Sequence, residues 1–137
     1  MPPLPDSAHL LLVGQLLRQR GWWDVTVTTG SMRPTIPVGA RVRVVASNRV
    51  KLGEVAALAI GDRVYIHRVL ARFPTPMGTM LVHGGDAPQA LPSFVFESRL
   101  IGRADVPRKR ISVPKRLASL ARAALVYLRR RRAHVAP

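Results

Sequence analysis

Cysteine is missing from the 137-residue chain. Its absence excludes a disulfide framework, cysteine-ligated zinc, iron–sulfur clusters and thiol catalysis. Acidic residues are scarce, with seven Asp and Glu against 22 Lys and Arg and a formal net charge of +15. Such a chain adheres to polyanions. Aromatics make up only 5%, they are not interleaved with basic residues, and no helix-turn-helix pattern is visible, which disfavours nucleic acid as the partner. Long apolar runs are missing too. Residues 10–17 reach about half of the ~20 residues a bilayer crossing needs. They follow Asp6 rather than a basic segment, and no small-residue cleavage site comes after them, so neither a membrane span nor a secretory signal is expected. The chain reads as cytoplasmic, at most peripheral to a membrane. Four histidines at wide spacing give no metal-ligand pattern, and no glycine-rich phosphate loop occurs. No cofactor and no metal are expected.

Hydrophobic residues at 47% and charged residues at 21% describe a globular chain of one domain, 1–137. Twelve prolines and ten glycines favour a loop-rich, mainly β fold. Asp6 or Ser7 can cap a helix over residues 6–20, with Leu10, Leu11, Val13 and Leu17 on its apolar side and Gly21 as its stop. Trp23, Val25 and Val27 alternate as in a strand, and Trp22-Trp23 is expected to give one ring to the core and one to the surface. Residues 31–39, with two prolines, form a loop. Strands are expected at 41–46, 55–60 and 63–71, the last two joined by the hairpin turn Gly61-Asp62, with further candidates at 80–82 and 100–106. Short strands at this spacing suggest a compact barrel or coiled antiparallel sheet over about residues 22–113. After Pro114 a helix over 115–132 carries Leu117, Leu120, Ala121, Ala124, Leu125 and Leu128 on one face and arginines around it. It has three possible uses: packing on the barrel, lying in an anionic membrane interface, or holding nucleic acid.

The most informative segment is Thr29-Gly30-Ser31-Met32-Arg33-Pro34-Thr35. A serine placed after a strand and a glycine, in a proline-braced loop, presents its hydroxyl with the backbone N–H exposed. An ordinary Gly-Ser turn has the same local sequence. The stretch through Ile36 resembles the nucleophile box of the type I signal peptidases and their relatives, the self-cleaving SOS repressors among them. Further boxes follow in that family's order. Residues 53–58 resemble its Gly-Asp-Ile-Val strand, residues 65–70 its general-base strand, Gly85-Asp86-Ala87 its Gly-Asp-Asn box, and residues 98–102 the strand closing the site. The bacterial branch carries lysine at the base position. The endoplasmic-reticulum and archaeal-like branch carries histidine, as does this chain at His67. Lys51, Lys109 and Lys115, the only lysines, lie outside that strand.

The resemblance implies a signal-peptidase/SOS-repressor-protease-like coiled β-barrel flanked by the two helices. It implies Ser31 as nucleophile, His67 as general base, and the Ser31 N–H with the Thr29 hydroxyl as oxyanion donors. An imidazole base titrates near neutrality without the large shift a lysine base needs. Asp86 is the candidate to fix the His67 tautomer, with Glu97 as a substitute and Ser98 as a hydrogen-bonding support. His83 reads as either a second imidazole near the site or a surface histidine. The chain departs from the family in lacking a second acid over residues 89–93 and in lacking membrane helices. The expected function is that of a serine endopeptidase, cleaving a leader or precursor peptide through a Ser–His dyad and an acyl-enzyme. The rival is a catalytically silent basic module on the same fold, holding an anionic membrane surface or nucleic acid.

Overall fold

The computed structural model describes residues 6–135, without the side chains of Asp6, Ser7, His9 and Val135. The stiff lead-in expected at residues 1–5 and the capping groups of Asp6 and Ser7 therefore lie outside the described residues. The first element is helix α1 (Asp6–Arg20). Gly21 stops it with φ +78°, in the left-handed region that glycine enters at no steric cost, and its N–H donates to the Leu17 carbonyl. Val13 and Leu17 are buried, but Leu11 is 73% exposed, so the apolar side of α1 is narrower than its leucines suggest.

Seven antiparallel strands follow, β1 (Trp22–Thr26), β2 (Arg41–Ala46), β3 (Val55–Ile60), β4 (Arg63–Thr75), β5 (Gly78–Gly84), β6 (Ser93–Phe96) and β7 (Leu100–Ala104). They form one sheet in the order β1-β2-β7-β3-β4-β5-β6. The sequence suggests a compact barrel or a coiled antiparallel sheet; the strands are antiparallel, and the sheet is open rather than closed into a barrel, with β1 and β6 as its edges. The turn Gly61-Asp62 joins β3 and β4 as the sequence predicts, with Ile60 paired to Arg63. Strand β6, unseen in the sequence, pairs with β5 from Met80↔Phe96 to His83↔Ser93. A one-turn 3-10 helix, Glu97–Arg99, leads into β7.

Strand β3 lies at the centre because it is apolar on both faces. Val55, Ala56, Ala57 and Leu58 are all fully buried. Ala57 packs with Val13 and Leu17 of α1 and with Val44, while Trp23 lies against that cluster. On the opposite face, Ala56 and Leu58 pack with Val50, Val69, Leu81 and Leu100. Trp22 instead lies between the guanidinium groups of Arg20 and Arg43, 4.4 and 3.9 Å from its ring centre. Arg43 also forms a two-pronged ion pair with Asp24 across β1 and β2.

The last element is helix α2 (Val113–Val135). It docks through Ala123 and Leu120 against Ala71, Val82, Leu70, Phe73 and Phe94. Of the leucines on the face expected from the sequence only Leu120 takes part, beside Ala123, which that face did not include. The small Ala123 lets the helix axis approach the sheet, and Leu117, Leu125 and Leu128 stay outside, 62, 48 and 54% exposed. No helix among the described residues is long and apolar enough to cross a membrane.

Candidate active site

Ser31 is positioned by its neighbours. The connection from β1 to β2 closes at a neck where Val27 and Ala40 share a hydrogen bond and the Gly39 N–H donates to the Val27 carbonyl. Within it, Met32 and Ile36 are buried with Val27, Val42, Val55 and Ala104. The loop is thus anchored by apolar side chains on its C-terminal side while Ser31 remains half-exposed. The Ser31 carbonyl accepts a 2.9 Å hydrogen bond from the Ala87 N–H. Gly85 makes this seat possible: a Cβ there would lie 1.9 Å from the Ser31 oxygen, so only glycine allows the two segments to touch. Thr29 Oγ1 lies 3.3 Å from Ser31 Oγ. The Ser31 N–H donates no hydrogen bond within the chain among the described residues.

Two residues before Gly85, His83 meets a second histidine, His67. His67 pairs in register with Ala56, and His83 pairs with Val69. Cross-strand partners share a face of the sheet, so both rings project on the side that carries Ala56 and Val69. A bulge between Val69 and Ala71 sets the register that brings them together. The rings stack with centres 5.1 Å apart, and their Nδ1 atoms are 2.9 Å apart. His83 is 4% exposed, not a surface histidine, and its Nε2 is buried without a hydrogen-bond partner among the described residues. Burial lowers both basicities. It pulls His67 below its usual value, against the opposing field of Asp86, and with repulsion from His67 it holds His83 at about 4.

Asp86 does not reach His67 by a hydrogen bond. Its carboxylate accepts two 2.8 Å bonds from Arg68 Nε and Nη2 and another from Thr35 Oγ1, and Lys109 Nζ stands 3.4 Å away. Arg68, 1% exposed, spends its remaining donor on the carbonyls of Gly53 and Pro107. Burial raises the Asp86 carboxyl, but the Arg68 and Thr35 hydrogen bonds and the charges of Arg68 and Lys109 outweigh it, leaving it at about 2. The expected tautomer-fixing acid is therefore a structural anion tying the Ser31 loop to β4. Glu97, its suggested substitute, pairs with Arg72. Ser98 lies exposed on the 3-10 helix, beside a 230 Å³ concavity with Asn48 and Thr79, and makes no hydrogen bond to His67 among the described residues. A second concavity of 230 Å³, lined by Glu54, Arg103 and Arg108 among others, does not include Ser31 or His67 either.

The structure thus gathers Thr29, Ser31, His67 and Asp86 around the end of β5 and leaves Ser98 apart. It adds His83 and Arg68 to the group. No hydrogen bond joins Ser31 to His67 among the described residues; bonds of this kind are often long before substrate binds. No family model, no curated protein and no solved structure matches this chain.

The buried titrating groups set an expected acid response. The unfolded chain protonates its histidines near 6.5, whereas folded His83 resists until about 4. The unfolded state therefore binds more protons across that window, and stability falls as pH drops through it, by about 3 kcal/mol from His83 alone. His67 acts in the same direction. Asp86, held at about 2, contributes stability that is present above 3.8 and lost only as pH falls toward 2. Urea unfolding from pH 7 to 4 should show this loss, and His83→Phe should flatten it. A pH-independent midpoint in the wild type would contradict the burial of these rings.

Proposed function

We propose that the chain is a serine endopeptidase of signal-peptidase-like type, its open sheet a variant of that fold, acting on a leader or precursor peptide. The observation that carries this reading is the seating of Ser31 on the Gly85–Ala87 turn, two residues beyond His83, which pairs with the half-buried His67. Ser31 Oγ attacks the scissile carbonyl and His67 takes its proton. The acyl-enzyme forms as that proton passes to the leaving amine, and water then releases the acyl group by the same route. The Ser31 N–H and the Thr29 hydroxyl hold the developing oxyanion.

In this reading His83 takes the place assigned to Asp86. A hydrogen bond between two Nδ1 atoms needs one donor and one acceptor. With His67 donating, its Nε2 keeps a lone pair and serves as the base. His83 then accepts at Nδ1 and carries its proton on the buried Nε2. Held at about 4, His83 stays neutral at working pH, so it orients His67 without adding a negative charge. The Asp86 carboxylate supplies that charge through space, raising the basicity of His67.

The test is incubation with a proteome-derived peptide library and mass spectrometry of the new termini, which should cluster at small side chains. Because burial lowers His67, hydrolysis should rise with pH through an ionisation below the ordinary histidine value and then level off. His67→Ala should cost orders of magnitude, and His83→Phe roughly tenfold or more with a displaced pH profile. Single alanine substitutions of Lys51 and Lys115 should leave the rate nearly unchanged. Lys109→Ala, which removes a charge from Asp86, should change it little. A loss after a lysine substitution equal to that of His67→Ala would move the base to that lysine, and no new termini at all would defeat the peptidase reading.

A further inference from the structure

Helix α2 spends only part of its circumference on its own sheet. At about 100° per residue, Leu117, Ala121, Leu125 and Leu128 fall within an arc of about 80°, next to the docked residues Leu120 and Ala123. The three leucines are 48–62% exposed. Arg122 and Arg129 border the open side of this stripe, and residues 130–132, all arginine, crown its end. From residue 106 onward the chain contains no acidic residue and ten of its 22 Lys and Arg. We propose that this stripe docks on an anionic lipid bilayer, with α2 lying in the plane of the interface.

The charge selects the occupant. A second copy would bring another +15 against the same face, so self-association through the stripe is repelled. Nucleic acid would answer the arginines but leave the leucines in water. An anionic bilayer answers both: the leucines enter the boundary between headgroups and acyl chains, and the arginines meet the phosphates while their stems cover apolar surface. The sheet side of α2 keeps its contacts with Ala71, Val82 and Phe94, so docking needs no unfolding.

The experiment uses the whole chain with phosphatidylcholine vesicles, with and without phosphatidylglycerol. Sedimentation should show binding to the anionic vesicles at least tenfold stronger than to the neutral ones, weakening with salt. The combined variant Leu117→Ser, Leu125→Ser and Leu128→Ser removes no charge and touches exposed positions, so it should keep its circular dichroism and lose at least tenfold in binding. Because the chain lacks cysteine, Leu125→Cys carries a single environment-sensitive fluorophore, whose emission should shift to the blue on anionic vesicles. Unchanged binding by the serine variant would reduce the effect to charge alone and overturn the proposal. So would an unshifted fluorophore, a dimer that the serine substitutions dissolve, or a blue shift with duplex DNA equal to that with vesicles. Ser31→Ala should bind vesicles like the wild type, so the outcome is independent of whether Ser31 is a nucleophile.

Discussion

On the proposed peptidase mechanism, Ser31→Ala is expected to reduce peptide hydrolysis by at least roughly 10³-fold, since a nucleophile and its base act as a unit. The fold should be untouched. Ser31 is seated through its backbone, by its carbonyl bond to Ala87 and by the burial of Met32 beside it, and alanine keeps both. Its side chain gives up only the long 3.3 Å contact with Thr29. The check is a paired measurement of cleavage rate and urea midpoint. A variant that folds normally and cleaves at the wild-type rate would remove Ser31 from the chemistry. Thr29→Val should fall between the two, at about 10²-fold, the usual cost of one lost oxyanion donor.

The largest stability effect is expected at Arg68. Arg68→Met would leave the Asp86 carboxylate buried without its two-pronged partner, and breaking such a pair from one side costs about 3–5 kcal/mol. That is a large share of the 5–15 kcal/mol typical of a whole domain. Two further bonds, to Gly53 and Pro107, would be lost with it. Replacing Asp86 with leucine in the same chain should recover part of the loss, because the uncompensated charge is gone. Urea titration of the single and double variants decides the matter. A single-variant loss under about 1 kcal/mol, or a double variant worse than the sum of its parts, would mean the pair is not the tie described.

Most of the sheet was legible because its signals are local. The continuous apolar run of Val55–Ile60 marks a strand buried on both faces, the alternation in Arg41–Ala46 marks a half-exposed one, and Gly61-Asp62 fixes the turn before β4. What escaped depends on register. His83 meets His67 only because a bulge near residue 70 shifts the pairing of β4 with β5, and no pattern in either strand announces that shift. Arg68 reads as one more arginine in a basic chain; nothing local says it is buried, since its partner Asp86 comes from another strand's end. Strand β6 was missed because Phe94, Val95 and Phe96 run on without alternation and are too few to stand out. On α2, counting leucines found an apolar face of whose leucines only Leu120 docks, and it missed Ala123. Close approach to a sheet favours the small residue, here Ala123, over the large ones.

The position of β7 orders the chain in time as well as in space. It enters between β2 and β3, although both precede it by many residues, so a ribosome that has released only β1 to β6 has delivered two pieces of sheet with no strand to join them. Thermodynamic credit for the long loops is deferred until residues 100–104 slot in. The seat of Ser31 is likewise completed from a turn that leaves the ribosome long after the serine does. A nascent chain therefore carries Ser31 before residues 67–87, which supply its seat and the histidine pair, have been made.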